Sequence, residues 1–235
     1  MKRIIMIVCK MLFLIPHYLI GMNRLGKRKD YDINASYEFI KGGVKRLVKA
    51  GRVTIETVGM ENIPNEDGFI FFPNHQGMFD VFVFIHSCPR PFSFVIKKEA
   101  KDIPVVKQAM CALKAIAIDR EDIRQSMKVI TQVTEEVKKG RNFLIFAEGT
   151  RSKLGNRLLP FKGGTFKSAM KAKCPIVPCA LIDSYKPFDE KSTKPVTVKL
   201  VYLPPIRYEE YVDMKTVEIA DMVKARIEAA IAEYN

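Results

Sequence analysis

From residue 52 the chain alternates between two patterns, and that alternation restricts its fold more than any other feature. Short apolar runs at 53–58, 69–72, 92–96, 116–118, 143–146, 176–181 and 196–202 have the length and the β-branched or aromatic content of strands. Helix-period stretches lie between them at 80–87, 104–113, 122–139, 166–173 and 214–234. Lys138-Lys139-Gly140 closes the longest inner stretch with a cationic last turn and a glycine stop. Strands joined through helices lie parallel, because parallel neighbours need a crossover connection. The predicted fold over residues 52–235 is therefore α/β, with a mostly parallel central sheet flanked by helices. No repeat, low-complexity stretch or linker divides it.

In such folds ligands bind beyond the carboxyl ends of strands, so residues that follow strands carry the functional signal. The run Phe71-Phe72-Pro73-Asn74-His75 breaks an apolar strand at a proline and delivers a histidine, with Asp80 five positions on. An imidazole that titrates near neutrality beside a carboxylate that orients it is the pattern of a general base. Alone, a His-x4-Asp spacing is also what a surface loop produces by chance.

Three later elements follow strands or open helices: Ile118-Asp119-Arg120, Phe146-Ala147-Glu148-Gly149-Thr150-Arg151-Ser152, and Phe161-Lys162-Gly163-Gly164-Thr165. Arg120 and Arg151 offer planar, permanently charged forks suited to phosphate. The glycines let backbone amides approach an anion. Lys98, in Lys97-Lys98-Glu99, adds a cation after another strand. Individually these read as salt bridges, turns and caps; together with the histidine they describe one site for an anionic substrate.

The N-terminal segment is different in kind. Residues 4–20 are largely apolar, but Lys10, Pro16 and His17 interrupt a run already short of the ~20 residues a spanning helix needs. A small-residue cleavage site is absent. Arg3, Lys10, His17 and Arg24 recur every seven residues, which on a helix makes one narrow polar stripe. A second basic helix is expected from an N-cap at Ser36 to a stop at Gly51, with Lys27-Arg28-Lys29 in the connection. Residues 1–52 hold 12 Lys/Arg against 3 Asp/Glu, whereas the other 183 residues hold 27 against 23, so most of the +13 charge lies here. Residues 1–51 thus read as a two-helix, monotopic anchor on an anionic membrane surface. A helical hairpin packed on the domain, with its lysines merely solvated, is the plainer alternative.

The five cysteines form no Cys-x-x-Cys pair, and Cys174 and Cys179 have no nearby histidine to complete a metal site. No metal is expected. A basic nucleic-acid-binding module would account for the charge, but not for the apolar N-terminus or the His/Asp pair, and no aromatic–basic stacking motif accompanies it.

The ordered set Asn74-His75-(x4)-Asp80, Ile118-Asp119-Arg120, Phe146-(x)-Glu148-Gly149-Thr150-Arg151-Ser152 and Val177-Pro178 resembles the PlsC-type glycerophospholipid acyltransferases, most of all the bacterial 1-acylglycerol-3-phosphate acyltransferases. Gly59-Met60-Glu61-Asn62-Ile63-Pro64 resembles the family's lead-in. The resemblance implies a glycerol-3-phosphate acyltransferase-like fold, with His75 as general base and Asp80 as its partner. It implies that Arg120, Glu148, Gly149, Thr150 and Arg151 bind the acceptor's phosphate, with Lys98 a weaker candidate.

The implied reaction moves a fatty acyl group from acyl-CoA or acyl carrier protein to the sn-2 hydroxyl of lysophosphatidic acid, giving phosphatidic acid at the cytoplasmic face of the cell membrane. It needs no bound cofactor and no nucleic acid. A different glycerol-phosphate or lysophospholipid acceptor is the nearest alternative. The chain departs from the family pattern at Ala147, where Pro is usual, at Gly77, where Ser is usual, and at Lys114-Ala115-Ile116-Ala117, where a leading Gly is usual.

Overall fold

The computed structural model describes residues 2–234. Seven strands form one sheet: β1 (Val53–Val58), β2 (Ile70–Pro73), β3 (Ser93–Lys97), β4 (Ile116–Ile118), β5 (Phe143–Leu144), β6 (Ile176–Ile182) and β7 (Val196–Tyr202), in the order β1-β7-β6-β2-β5-β3-β4. The pairs β6–β2, β2–β5, β5–β3 and β3–β4 are parallel. The β6–β7 pair is antiparallel and β1 runs parallel to β7, so two strands oppose the other five. Each strand predicted from the sequence is present, shifted by two residues or fewer at its ends.

Nine helices accompany them among the described residues: α1 (Lys2–Met11), α2 (Ile15–Gly26), α3 (Ile33–Ala50), α4 (Asp80–Ser87), α5 (Val106–Leu113), α6 (Ile123–Lys138), α7 (Lys167–Ala172), α8 (Lys186–Asp189) and α9 (Thr216–Tyr234). Asp122 caps α6 by accepting from Gln125 N at 3.0 Å, and Gly140 follows its end at φ +87°. The short α8 went unread in the sequence.

The sheet separates two apolar layers. Phe71, Leu181 and Leu200 face α3 and α4, meeting Tyr37, Val44, Val83 and Phe84. Ile70, Phe72 and Ile182 face the other layer, where Val133, Phe166, Ile219 and Ile227 cover them. β2 is buried along its whole length, which is why it reads as an unbroken apolar run rather than an alternation.

At the N-terminus the first expected helix is split. The chain turns by 80° between α1 and α2, just before Pro16, and no single described helix is long and apolar enough to cross a membrane. The second expected helix is α3, capped by Asp32 rather than Ser36. Asp32 accepts from Asn34 N at 2.8 Å, while Ser36 lies buried within the helix.

The α3 helix also belongs to the core: Tyr37, Ile40, Val44 and Val48 are buried in the layer it shares with α4. The polar stripe of α1 lies against the end of α3, with Arg3 buried there and Lys10 at the exposed rim. Arg3, 1% exposed, donates to the carbonyls of Gly51 at 2.6 Å and Lys194 at 2.8 Å, and Lys10 donates to Ala50 O at 3.1 Å. These cations meet the free carbonyls at the α3 C-terminus, the negative end of its dipole. Setting the stripe against α3 turns Ile5, Val8, Leu12 and Phe13 outward, and Phe13 is 93% exposed.

Replacing Arg3 with alanine removes two charge-assisted hydrogen bonds, each worth ~1.5–3 kcal/mol to charged groups. Amide exchange in α1 should accelerate in Arg3→Ala while β2 and β5 stay protected, as hydrogen-exchange mass spectrometry would show.

Candidate active site

The carboxyl ends of the five co-directional strands meet at one edge of the sheet, and the residues singled out in the sequence follow them. His75 lies two positions after β2. Lys98 follows β3, Asp119 and Arg120 follow β4, the 148–151 segment follows β5, and Asp183 and Ser184 follow β6.

Pro73 ends the β2 ladder, and the Asn74 side chain continues it. Its amide donates to Leu181 O at 2.9 Å and its carbonyl accepts from Leu181 N at 2.7 Å, so β6 pairs with a side chain where β2 stops. That fixes the path of the next residue. His75 Nδ1 lies 2.8 Å from Asp80 Oδ2, and the ring stacks on Phe146 with centroids 3.9 Å apart. With Nδ1 held by the carboxylate, Nε2 is the nitrogen left for a reacting group. Asp80 is fully buried at the start of α4 and also accepts from Gln76 N at 2.7 Å and Gly77 N at 3.1 Å. The structure thus brings together His75 and Asp80, which the sequence reading had paired.

Glu148 does something other than expected. Its Oε1 accepts from His75 N at 2.6 Å and its Oε2 from Leu159 N at 3.0 Å. At 2% exposed, with both oxygens taken by backbone N–H groups, it braces the histidine's backbone rather than facing open space. Burial raises its carboxyl above the ordinary range, while the two N–H bonds, from His75 first, pull the other way.

Gly149 is a second correction. Its N–H is used by Phe146 O at 3.1 Å, and its carbonyl accepts from Arg120 Nη1, so its amide is not offered to an anion. A left-handed φ of +73° explains the glycine. Lys98 is ion-paired with Asp119, which leaves its role beside Arg120 that of a neighbour. Thr150 is exposed.

Arg151 faces open space. With Lys153, Gly155, Tyr185 and Asp189 it lines a cleft of about 430 Å³. The cleft adjoins the histidine loop: Ser152 N donates to His75 O at 2.8 Å, and Gln76 Nε2 donates to Gly155 O at 3.1 Å. The sequence reading missed Gln76, Asn156 and Ser184, which connect these loops through space, and the closeness of the Lys162 side chain to Gly149. Burial keeps the core cysteines as thiols, pushing Cys88 up to about 11 and Cys174 to about 12.

A histidine–carboxylate pair at the end of a parallel sheet, beside a cleft lined by Arg151 and Lys153, has the arrangement of a general acid–base site. The chain belongs to the Acyltransferase family, whose model matches residues 54–182. It is 36% identical over 54% of its length to the 1-acyl-sn-glycerol-3-phosphate acyltransferase BAT2 of Brassica napus, and 30% identical over 80% of its length to that of Cocos nucifera. The chain spans only 37% and 61% of those two relatives. With the 1-acyl-sn-glycerol-3-phosphate acyltransferase of Salmonella typhimurium it shares 31% identity over 81% of this chain and 78% of that one. The crystal structure of the LPA acyltransferase PlsC from Thermotoga maritima has the same fold. Its TM-score is 0.76 at 21% identity, over 97% of this chain and 91% of that one.

If Glu148 braces the dyad, Glu148→Gln should hurt stability as well as rate. A glutamine oxygen can serve one of the two N–H groups, leaving the other against an NH2 at a cost of ~1–3 kcal/mol. The melting midpoint should fall by several degrees with a fall in turnover, both measurable on the full chain.

Proposed function

We propose that the protein transfers a fatty acyl group from acyl-CoA or acyl carrier protein to the sn-2 hydroxyl of 1-acylglycerol-3-phosphate, giving phosphatidic acid. The observation that carries this reading is the His75 Nδ1–Asp80 Oδ2 contact at 2.8 Å, which leaves Nε2 to face a substrate beside the cleft lined by Arg151. The family and the relatives' named acceptor support it.

A glycerol hydroxyl is a weak nucleophile at neutral pH. His75 Nε2 takes its proton as the oxygen attacks the thioester carbonyl. The Asp80 carboxylate stabilises the imidazolium. As the tetrahedral adduct collapses, the C–S bond breaks and the imidazolium returns the proton to the departing thiolate. The products are the diacyl phosphate and a free thiol. Arg151, with Arg120 nearby, holds the acceptor's phosphate and so aligns the hydroxyl. No covalent acyl-enzyme forms, and no bound cofactor takes part.

The N-terminal surface suits an amphiphilic substrate. Ile5, Val8, Leu12, Phe13 and Ile20 are exposed on α1, the bend and α2, and residues 1–52 carry most of the net charge of +13. That combination supports monotopic docking on the anionic cytoplasmic leaflet, with α1 and α2 lying in the interface.

Two measurements test this. His75→Ala should lower acyl transfer to lysophosphatidic acid by ~10²–10⁴-fold, assayed with acyl-CoA and acyl carrier protein donors across several acceptors. Near-wild-type transfer would reject the mechanism. The full chain carrying Leu12→Asp and Phe13→Asp should stay folded yet lose most of its binding to anionic vesicles at physiological salt. Unchanged vesicle binding would reject the docking surface.

A further inference from the structure

Asp80 is held from a second side by a residue 104 positions away, and that contact has a use in the reaction proposed above. Ser184 follows β6 and is fully buried. Its Oγ lies 2.5 Å from Asp80 Oδ1 and 3.0 Å from Gln76 Oε1. A hydroxyl has one proton to give. Gln76 Oε1 already accepts from Ser184 N at 2.8 Å, so the shorter contact, to the carboxylate, receives the hydroxyl proton.

The donors to Asp80 are unevenly shared. Oδ2 has His75 Nδ1, Gln76 N and Gly77 N. Oδ1 has Ser184 Oγ and only the same Gly77 N–H, divided between both oxygens at 3.1 Å. Without Ser184 the carboxylate would keep all its undivided bonds on one oxygen, and rotation of its plane about the bond to Cβ would be opposed from that side only. Rotation carries Oδ2 away from Nδ1.

Ser184 is itself fixed. Gln76 Nε2 donates to Asn156 Oδ1 at 2.7 Å, and Asp183 N donates to the same oxygen at 2.9 Å. One network therefore ties the loop after β6 and the segment beside the cleft to the plane of the Asp80 carboxylate.

We infer that Ser184 is a positioning residue, whose hydroxyl sets the plane of the Asp80 carboxylate and through it the orientation of His75. It touches no substrate and acts through Asp80. The inference rests on the acyl-transfer reading for its kinetic consequence, but not for its geometry.

The test uses the full chain with Ser184→Ala and Ser184→Thr, each checked for folding by circular dichroism and thermal melting. Ser184→Ala should lower kcat about tenfold while KM for lysophosphatidic acid stays within about twofold, and Ser184→Thr should recover most of the loss. A second readout needs no activity: the low-field proton resonance of His75 Nδ1–H, identified by its absence in His75→Ala. It should shift or vanish in Ser184→Ala and return in Ser184→Thr.

An unchanged kcat, a change confined to KM, a threonine variant as slow as the alanine one, or an unmoved resonance would each overturn the assignment. If Ser184→Ala does not fold, Ser184→Cys, of similar size and a weak donor, is read by the same criteria. Were the wild-type protein inactive towards every acceptor, the acyl-transfer reading would fail. The resonance would still decide the role of Ser184.

Discussion

Burying a carboxylate without donors costs several kcal/mol, and the loop after β2 folds so that this cost is met. Asp80 sits at zero exposure at the head of α4 and accepts from two backbone amides, a serine and the histidine. The amides of Gln76 and Gly77 can reach it only if the chain curls back immediately after His75. The curl in turn requires the strand to end at Pro73, and Asn74 to satisfy Leu181 in the ladder's place. Glu148 meets the same demand from the β5 side, taking up the His75 amide that the curl leaves without a strand partner. Two acids with opposite orientations thus hold one histidine: one aims its ring, the other pins its backbone.

Much of this was legible in the sequence, and the limits have physical reasons. Strand and helix periods are local, so the α/β alternation, the helix stops at Gly51 and Gly140 and the strand-end position of His75 could be read directly. Asp80 could be paired with His75 because only five residues separate them. Glu148 could not be assigned correctly, because a carboxylate beside Gly-Thr-Arg reads the same whether it faces a ligand or a backbone amide 73 residues away. Its burial decides between the two, and burial is a property of the packed sheet. Ser184 and Gln76 carried no signal at all. Their bond spans 108 positions and exists only because β6 lies next to β2.

The N-terminal stripe shows the same limit from another side. A seven-residue repeat of Arg3, Lys10, His17 and Arg24 establishes that a helix has a polar line along it, but not what that line meets. Arg3 and Lys10 meet the carbonyl end of α3. A helix C-terminus has orphan carbonyls and a partial negative charge, and cations placed against it satisfy both. The plainer alternative, helices packed on the domain, therefore describes the polar side of α1. The apolar side remains uncovered, and it is that side that supports a bilayer contact. The packed contact and the proposed bilayer contact concern opposite faces of the same helix.

This arrangement links the exposed apolar surface to the site through rigid elements. The α2 helix packs on α5 so closely that a methyl group on Gly26 would sit 2.7 Å from the Cys111 backbone, and Lys114 donates to Gly26 O at 2.7 Å. The α5 helix joins β3, which delivers Lys98, to β4, which delivers Asp119 and Arg120. An interfacial α2 would therefore fix the height and tilt of the cationic strand ends relative to the leaflet. A lysophospholipid keeps its acyl chain among the lipids while its phosphate and hydroxyl stand at headgroup level. On the proposed docking, a site tied to α2 in this way would meet the hydroxyl at that level, and the substrate would not need to leave the bilayer to reach it.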